Sequence, residues 1–278
     1  MINPLLIDTH CHLDVADFDA DRGQVLQDAR AAGVVAMVVP AIDAAGWAGL
    51  LALCAAQPDL YPALGLHPVY LERHQDADLQ ALERALAFDL NANLEQGASS
   101  ISRPAAQACR PIAVGEIGLD YHDSALDRKR QRWLCAAQLA IARTADLPVL
   151  LHVRKAHDDM LRLLKDAGVR GGIAHAFNGS LEQARRYIDL GFKLGFGGML
   201  TFERSSRLRR LARELPIEAM VLETDAPDLT VASHRFQRNS PAYLPEVLAA
   251  LAQVREAPFD EIAMQTTANA RAVLGLPQ

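Results

Sequence analysis

The chain has 278 residues, 50% of them hydrophobic, and a formal net charge of −6. That length and apolar content support a sizeable core, while the net acidity excludes broad electrostatic adhesion to nucleic acid or an anionic membrane. No apolar run approaches the ~18 residues of a membrane span, and "MINPLLIDTHCH" lacks the basic start of a signal peptide. Four cysteines (Cys11, Cys54, Cys109, Cys135) form no CxxC, as expected of reduced thiols in a cytoplasmic protein. Neither a membrane nor an obligate protein partner is expected.

Short apolar runs alternate with longer amphipathic stretches from end to end. Strands are predicted at "LLIDTH", "GVVAMVVPA", "LYPALGLHP", "PIAVGEIGL", "LPVLLHV", "GGIAHAF", "GFKLGFGG" and "EAMVLETDAP". Helices are predicted at "DADRGQVLQDARAAG", "SALDRKRQRWLCAAQLAIARTADLP", "HDDMLRLLKDAG", "SLEQARRYIDLG", "ERSSRLRRLAREL", "PAYLPEVLAALAQVREA" and "DEIAMQTTANARAVLG". The strands are apolar throughout rather than alternating, as in sheets covered on both faces. Strict strand–helix order predicts an α/β fold, a closed (β/α)8 TIM barrel forming a single domain over 1–278. An open doubly wound sheet is the alternative, but no GxGxxG follows the first strand. Residues 88–111 break the rhythm with polar residues, Gly97 and two prolines. They read as a surface insertion before the fourth strand.

The reactive residues fall at the ends of these strands. His10 and His12 end the first, where residues i and i+2 point to one side. His67 ends the third, Glu116 the fourth, His152 the fifth, His175 the sixth and Asp225 the eighth. A barrel gathers the C-terminal ends of its strands at one rim. Each histidine alone is unremarkable; together they describe a site. Four histidines and two carboxylates exceed what one ion takes. Two ions use them economically, with His10, His12 and Asp225 around one, His152 and His175 around the other, and Glu116 between. The nitrogen-rich set favours Zn²⁺, Mn²⁺, Fe²⁺ or Co²⁺ over Mg²⁺. Arg154, His67 and Arg204 are candidate substrate contacts, whereas Arg207, Arg209 and Arg210 read as a solvated face. "GFGG" at 195–198 is a turn, since no GK[ST] follows. In "LETDAP", Glu223 and Asp225 are expected on one strand face, with Asp225 nearer the rim.

The motifs "IDTHCHLD", "ALGLHP", "VGEIGLDY", "LPVLLHVR", "AHAFNGS", "LETDAP" and "NSPAYLPEVL" run in order over nearly the whole chain. In this the sequence resembles the TatD family of metal-dependent hydrolases and deoxyribonucleases, within the amidohydrolase superfamily. The resemblance implies a (β/α)8 barrel with a two-metal site, and the ligands His10, His12, Glu116, His152, His175 and Asp225. It also implies metal-dependent hydrolysis of DNA phosphodiesters, mainly by trimming ends. DNA or another phosphodiester, held locally at the rim, is the expected partner, with Asp225 and Glu116 as the catalytic carboxylates.

Two stretches depart from the family pattern. Tyr121-His122 follows "GLD" where members often carry an aromatic pair. His175-Ala176-Phe177-Asn178-Gly179 stands where His-Cys-Phe-Ser-Gly or His-Gly-Phe-Ser-Gly is usual. Both bear on the substrate rather than on the metals. The superfamily scaffold also supports lactonase, phosphotriesterase or amidase activity. Glu116 speaks against the phosphotriesterase type, which usually carries a carbamylated lysine at that place. A non-catalytic binding barrel would have lost ligands, and none is lost.

Overall fold

Eight short strands form one parallel sheet whose spatial order is the chain order. The structure is a computed structural model that describes residues 5–87 and 109–277. The strands are β1 (Leu6–Asp8), β2 (Val34–Pro40), β3 (Leu60–Leu64), β4 (Ala113–Asp120), β5 (Val149–Arg154), β6 (Gly172–Ala174), β7 (Phe192–Phe196) and β8 (Met220–Leu222). Their residues split by alternation into two buried clusters, as expected of a barrel wall. Leu6, Met37 and Val39 join the larger one, with the helices. Ile7, Ala36, Val38, Ala63, Leu150, Ile173 and Val221 join the smaller one, together with Ala270, Leu274 and Leu276 from the chain's last turns.

The sheet's two edges meet just beyond β1 and β8. The Thr9 N–H donates to the Leu222 carbonyl at 3.0 Å, Asp225 N–H to His10 at 2.8 Å, and His12 N–H to Ala226 at 2.8 Å. Asp8, fully buried, clamps the same seam. Its carboxylate accepts the Thr224 N–H (3.0 Å), the Thr224 hydroxyl (2.5 Å) and the His10 N–H (3.2 Å). The seam therefore carries His10, His12 and Asp225 on adjoining backbone.

Among the described residues the helices are α1 (Arg22–Ala31), α2 (Trp47–Ala55), α3 (Asp76–Ala87), α4 (Arg128–Thr144), α5 (His157–Ala167), α6 (Leu181–Asp189), α7 (Ser206–Glu214), α8 (Leu244–Arg255) and α9 (Phe259–Leu274). Local chemistry sets several ends. The Asp127 carboxylate accepts the N–H groups of Lys129 and Arg130 at the start of α4. Ser180 and Gln183 form a capping box on α6, and left-handed Gly168 ends α5. The sequence prediction did not include α2 or α3. Helix α2, "WAGLLALCA", is apolar almost throughout and gives no amphipathic signal, although it buries Trp47, Leu50 and Cys54. The predicted insertion at 88–111 lies outside the described residues except for 109–111. No helix among the described residues is long and apolar enough to cross a membrane.

Candidate metal centre

The reactive side chains reach one place from different depths. Glu116 was expected at a strand end, but it lies in the middle of the eight-residue β4. The reason is that β4 continues beside β5, pairing Ile117–Asp120 with Leu151–Arg154. His152 lies within β5, whereas His10, His12, His67, His175 and Asp225 lie just beyond their strands. Asp225 has φ +60°, so the chain turns after β8 and the expected shared strand face with Glu223 does not exist.

Glu116 is the hub. Its Oε2 lies 3.1 Å from His10 Nε2 and 3.3 Å from His12 Nε2, and these two nitrogens are 3.2 Å apart. Asp225 Oδ1 is 3.7 Å from each of them. On its other side, Glu116 Oε1 lies 3.1 Å from His152 Nδ1 and 3.4 Å from His67 Nε2. His175 stacks on His10 with ring centroids 3.6 Å apart, and its Nε2 is 3.5 Å from Asp225 Oδ2. Thus His175 stands nearer His10 and Asp225, while His67 joins Glu116 and His152 as a compact group.

Backbone partners fix which nitrogen of His12 and of His67 carries a proton, because a carbonyl only accepts and an N–H only donates. His12 Nδ1 donates to the Pro40 carbonyl at 3.2 Å, leaving a lone pair on Nε2. His152 lies between two carboxylates, with Nε2 2.9 Å from Asp120 Oδ2 and Nδ1 3.1 Å from Glu116 Oε1; a proton on Nε2 leaves Nδ1 free to bind an ion. His12 Nε2 and His152 Nδ1 both face Glu116 oxygens, an arrangement that either a proton or a metal cation satisfies. The donor set of ring nitrogens and carboxylate oxygens fits a first-row transition metal. His67 differs: its Nδ1 accepts the Val69 N–H at 3.2 Å, so Nε2 carries the proton and donates towards Glu116. It is arranged as a donor, not a ligand.

Protons compete for the same space. Burial disfavours charge on His12, yet Glu116 and Asp225 outweigh it and hold its pKa up at about 9. Burial likewise opposes charge on His152, but Asp120 and Glu116 raise it. For Asp225 burial acts upwards, and His175, His10 and His12 overcome it to give about 2. Burial depresses His10 and His67.

Glu223 and Asp120 hold these rings in place, roles that sequence reasoning did not assign. Glu223 is fully buried, with Oε1 3.0 Å from His175 Nδ1. The pair is close but off line for a hydrogen bond, and the same oxygen accepts the Ala176 N–H at 2.6 Å. Gly195 makes room, since a Cβ there would come within 2.1 Å of Glu223 Oε2. Both residues stand inside motifs legible in the sequence, Asp120 in "VGEIGLDY" and Glu223 in "LETDAP", but nothing in those motifs says which ring each one faces.

Two cavities open beside the cluster. One, of about 440 Å³, is bounded by His152, Arg154, His175 and Asp225 and by an apolar wall. The other, of about 310 Å³, is lined by His12, His67, Tyr70, Glu116, Asp120 and Arg154 among others. Arg154 therefore borders both. Arg204 borders neither; it is exposed, with its guanidinium 5.5 Å from the Phe202 ring centre.

A parallel eight-stranded barrel with a histidine–carboxylate cluster at the C-terminal ends of its strands defines a metal-dependent hydrolase. The profile of the TatD related DNase family matches residues 7–275, and the chain belongs to that family. It is 41% identical over 272 residues to YjjV of Escherichia coli K12, an uncharacterized metal-dependent hydrolase, with 98% of each chain covered. It is 32% identical to YabD of Bacillus subtilis 168, also an uncharacterized metal-dependent hydrolase, over 96% of this chain and 98% of that one. The crystal structure of the E. coli YjjV, a TatD homolog, superposes with a TM-score of 0.88 at 40% identity, covering 98% of both. The chain is a TatD-type metal-dependent hydrolase acting on ester bonds.

Proposed function

We propose that this hydrolase cleaves phosphodiester bonds at DNA ends, with two divalent ions held by the cluster. His10, His12 and Asp225 would hold the first. His152 would hold the second together with His175, which also lies beside His10 and Asp225, and Glu116 would be shared by both. The observation that carries this reading is the Glu116 carboxylate, which turns one oxygen to His10 and His12 and the other to His152. The nitrogen-rich donors favour Zn²⁺, Mn²⁺, Fe²⁺ or Co²⁺, with Mg²⁺ admissible. Ions bound there supply charge stabilisation for a phosphoryl group and lower the pKa of a water.

The chain's own residues do the rest. Asp225 is 16% exposed against 1% for Glu116, so it is the carboxylate that reaches open space to accept the water's proton. Arg154, shared by both cavities, binds phosphoryl oxygens, and the His67 Nε2 proton orients Glu116 or a substrate oxygen. Arg204 takes a peripheral place. Four free cysteines support a reducing, cytoplasmic setting. The test is a screen of protein reconstituted with Mn²⁺, Zn²⁺ or Mg²⁺ against DNA, RNA, phosphomonoesters and lactones. Shortening of DNA from its ends is expected. Turnover of lactones alone would overturn the reading.

A further inference from the structure

The larger cavity is lined by two unlike sets of side chains. Its lining joins His152, His175 and Asp225 of the cluster with the apolar side chains of Phe177, Met199, Leu208 and Leu229. Phe177 is buried, whereas Met199 and Leu229 remain 37% and 40% exposed. Apolar side chains grouped at a catalytic mouth mark a surface that a ligand covers. Leu229 moreover sits at φ +48°, a conformation that Gly or Asn adopts more easily. Arg154 and Asp228 both line the two cavities, and the Asp228 N–H donates to the Asp225 carbonyl at 2.8 Å, beside the cluster. A phosphate is therefore drawn towards Arg154, and the apolar side chains suit an uncharged flat ring.

We infer that this cavity is the binding site for one nucleobase flanking the scissile phosphate, a step that rests on the phosphodiesterase reading above. The base packs against Met199, Leu208 and Leu229, with its phosphate towards Arg154 and the cluster. A volume of about 440 Å³ lies within the range of sites that enclose small organic ligands. The polarisable Met199 thioether suits a π-face. Packing of this kind tolerates all four bases, because each has such a face.

The test compares short single-stranded oligonucleotides that end in an ordinary nucleotide or in a tetrahydrofuran abasic residue, placed at each end in turn. Wild-type protein is assayed beside Met199→Ser and Leu229→Asn; the asparagine suits the left-handed backbone, so folding is preserved. Wild type should favour the base-bearing end by about fivefold to tenfold in kcat/KM, the low end of base-stacking contributions. That ratio should fall towards one in both variants. Equal rates on both substrates at both ends by the wild type would overturn the base site alone. So would a preference that survives both substitutions. Absence of hydrolysis on every oligonucleotide would overturn the phosphodiesterase reading and the base site with it.

Discussion

Asp225 reaches the cavity because its backbone turns left-handed just after β8, while Glu223, two residues earlier, stays in the interior against His175. On the proposed reading, the two carboxylates divide the work, Asp225 accepting the proton and Glu223 orienting the ring. Asp225→Asn keeps an oxygen donor and a side chain that tolerates positive φ, but removes the base. It should retain a substantial share of its metal and lose roughly 10²–10⁴-fold in turnover. Metal content and rate are measured on one preparation; retained metal with near wild-type turnover would contradict the assignment. His12 makes a second prediction. With a pKa of about 9 it holds a proton at neutral pH that an incoming ion must displace. Metal affinity should therefore rise with pH from 7 towards about 9 and level off above it. Titration calorimetry in two buffers of different ionisation enthalpy should detect proton release at pH 7. No release would show that His12 Nε2 is not a ligand.

At the scale of elements, the site depends on how closely strands pass. Strand β7 brings Gly195 against the Glu223 carboxylate, and any side chain there must push that carboxylate away. Gly195→Ala should cost about 1–3 kcal/mol in stability, as overpacking does, and weaken metal binding roughly 10–100-fold, as loss of an orienting partner does. Equilibrium dialysis with a folding check by circular dichroism measures both; unchanged metal affinity would contradict the Glu223–His175 link. The same closeness explains what the sequence could and could not tell. Apolar runs made the eight strands legible, and with them the rim to which the histidines belong. Periodicity carries no register, so Glu116 read as a strand end although β4 runs on to Asp120. Nor did it reveal the turn after Leu222 that separates Glu223 from Asp225. The grip of Asp120 on His152 and of Glu223 on His175 joins residues far apart in the chain, and only the closed barrel creates those contacts.

At the scale of the whole molecule, the proposed DNA substrate would be held at the rim, where Arg154 borders both cavities, because the net charge is −6. Few phosphate contacts imply a shallow dependence of binding on salt. Arg154→Ala should reduce turnover, leave metal content unchanged and flatten that slope by about one unit. A steep slope in the wild type would point instead to an extended basic track. The central claim, that two ions in one cluster cleave DNA ends, is tested most directly by titrating the apoprotein with Mn²⁺. Bound metal and hydrolysis of end-labelled single-stranded DNA are followed together. Hydrolysis should rise with the second equivalent and plateau at two ions per chain. Two ions bound with no cleavage, or full cleavage at one ion per chain, would contradict the claim.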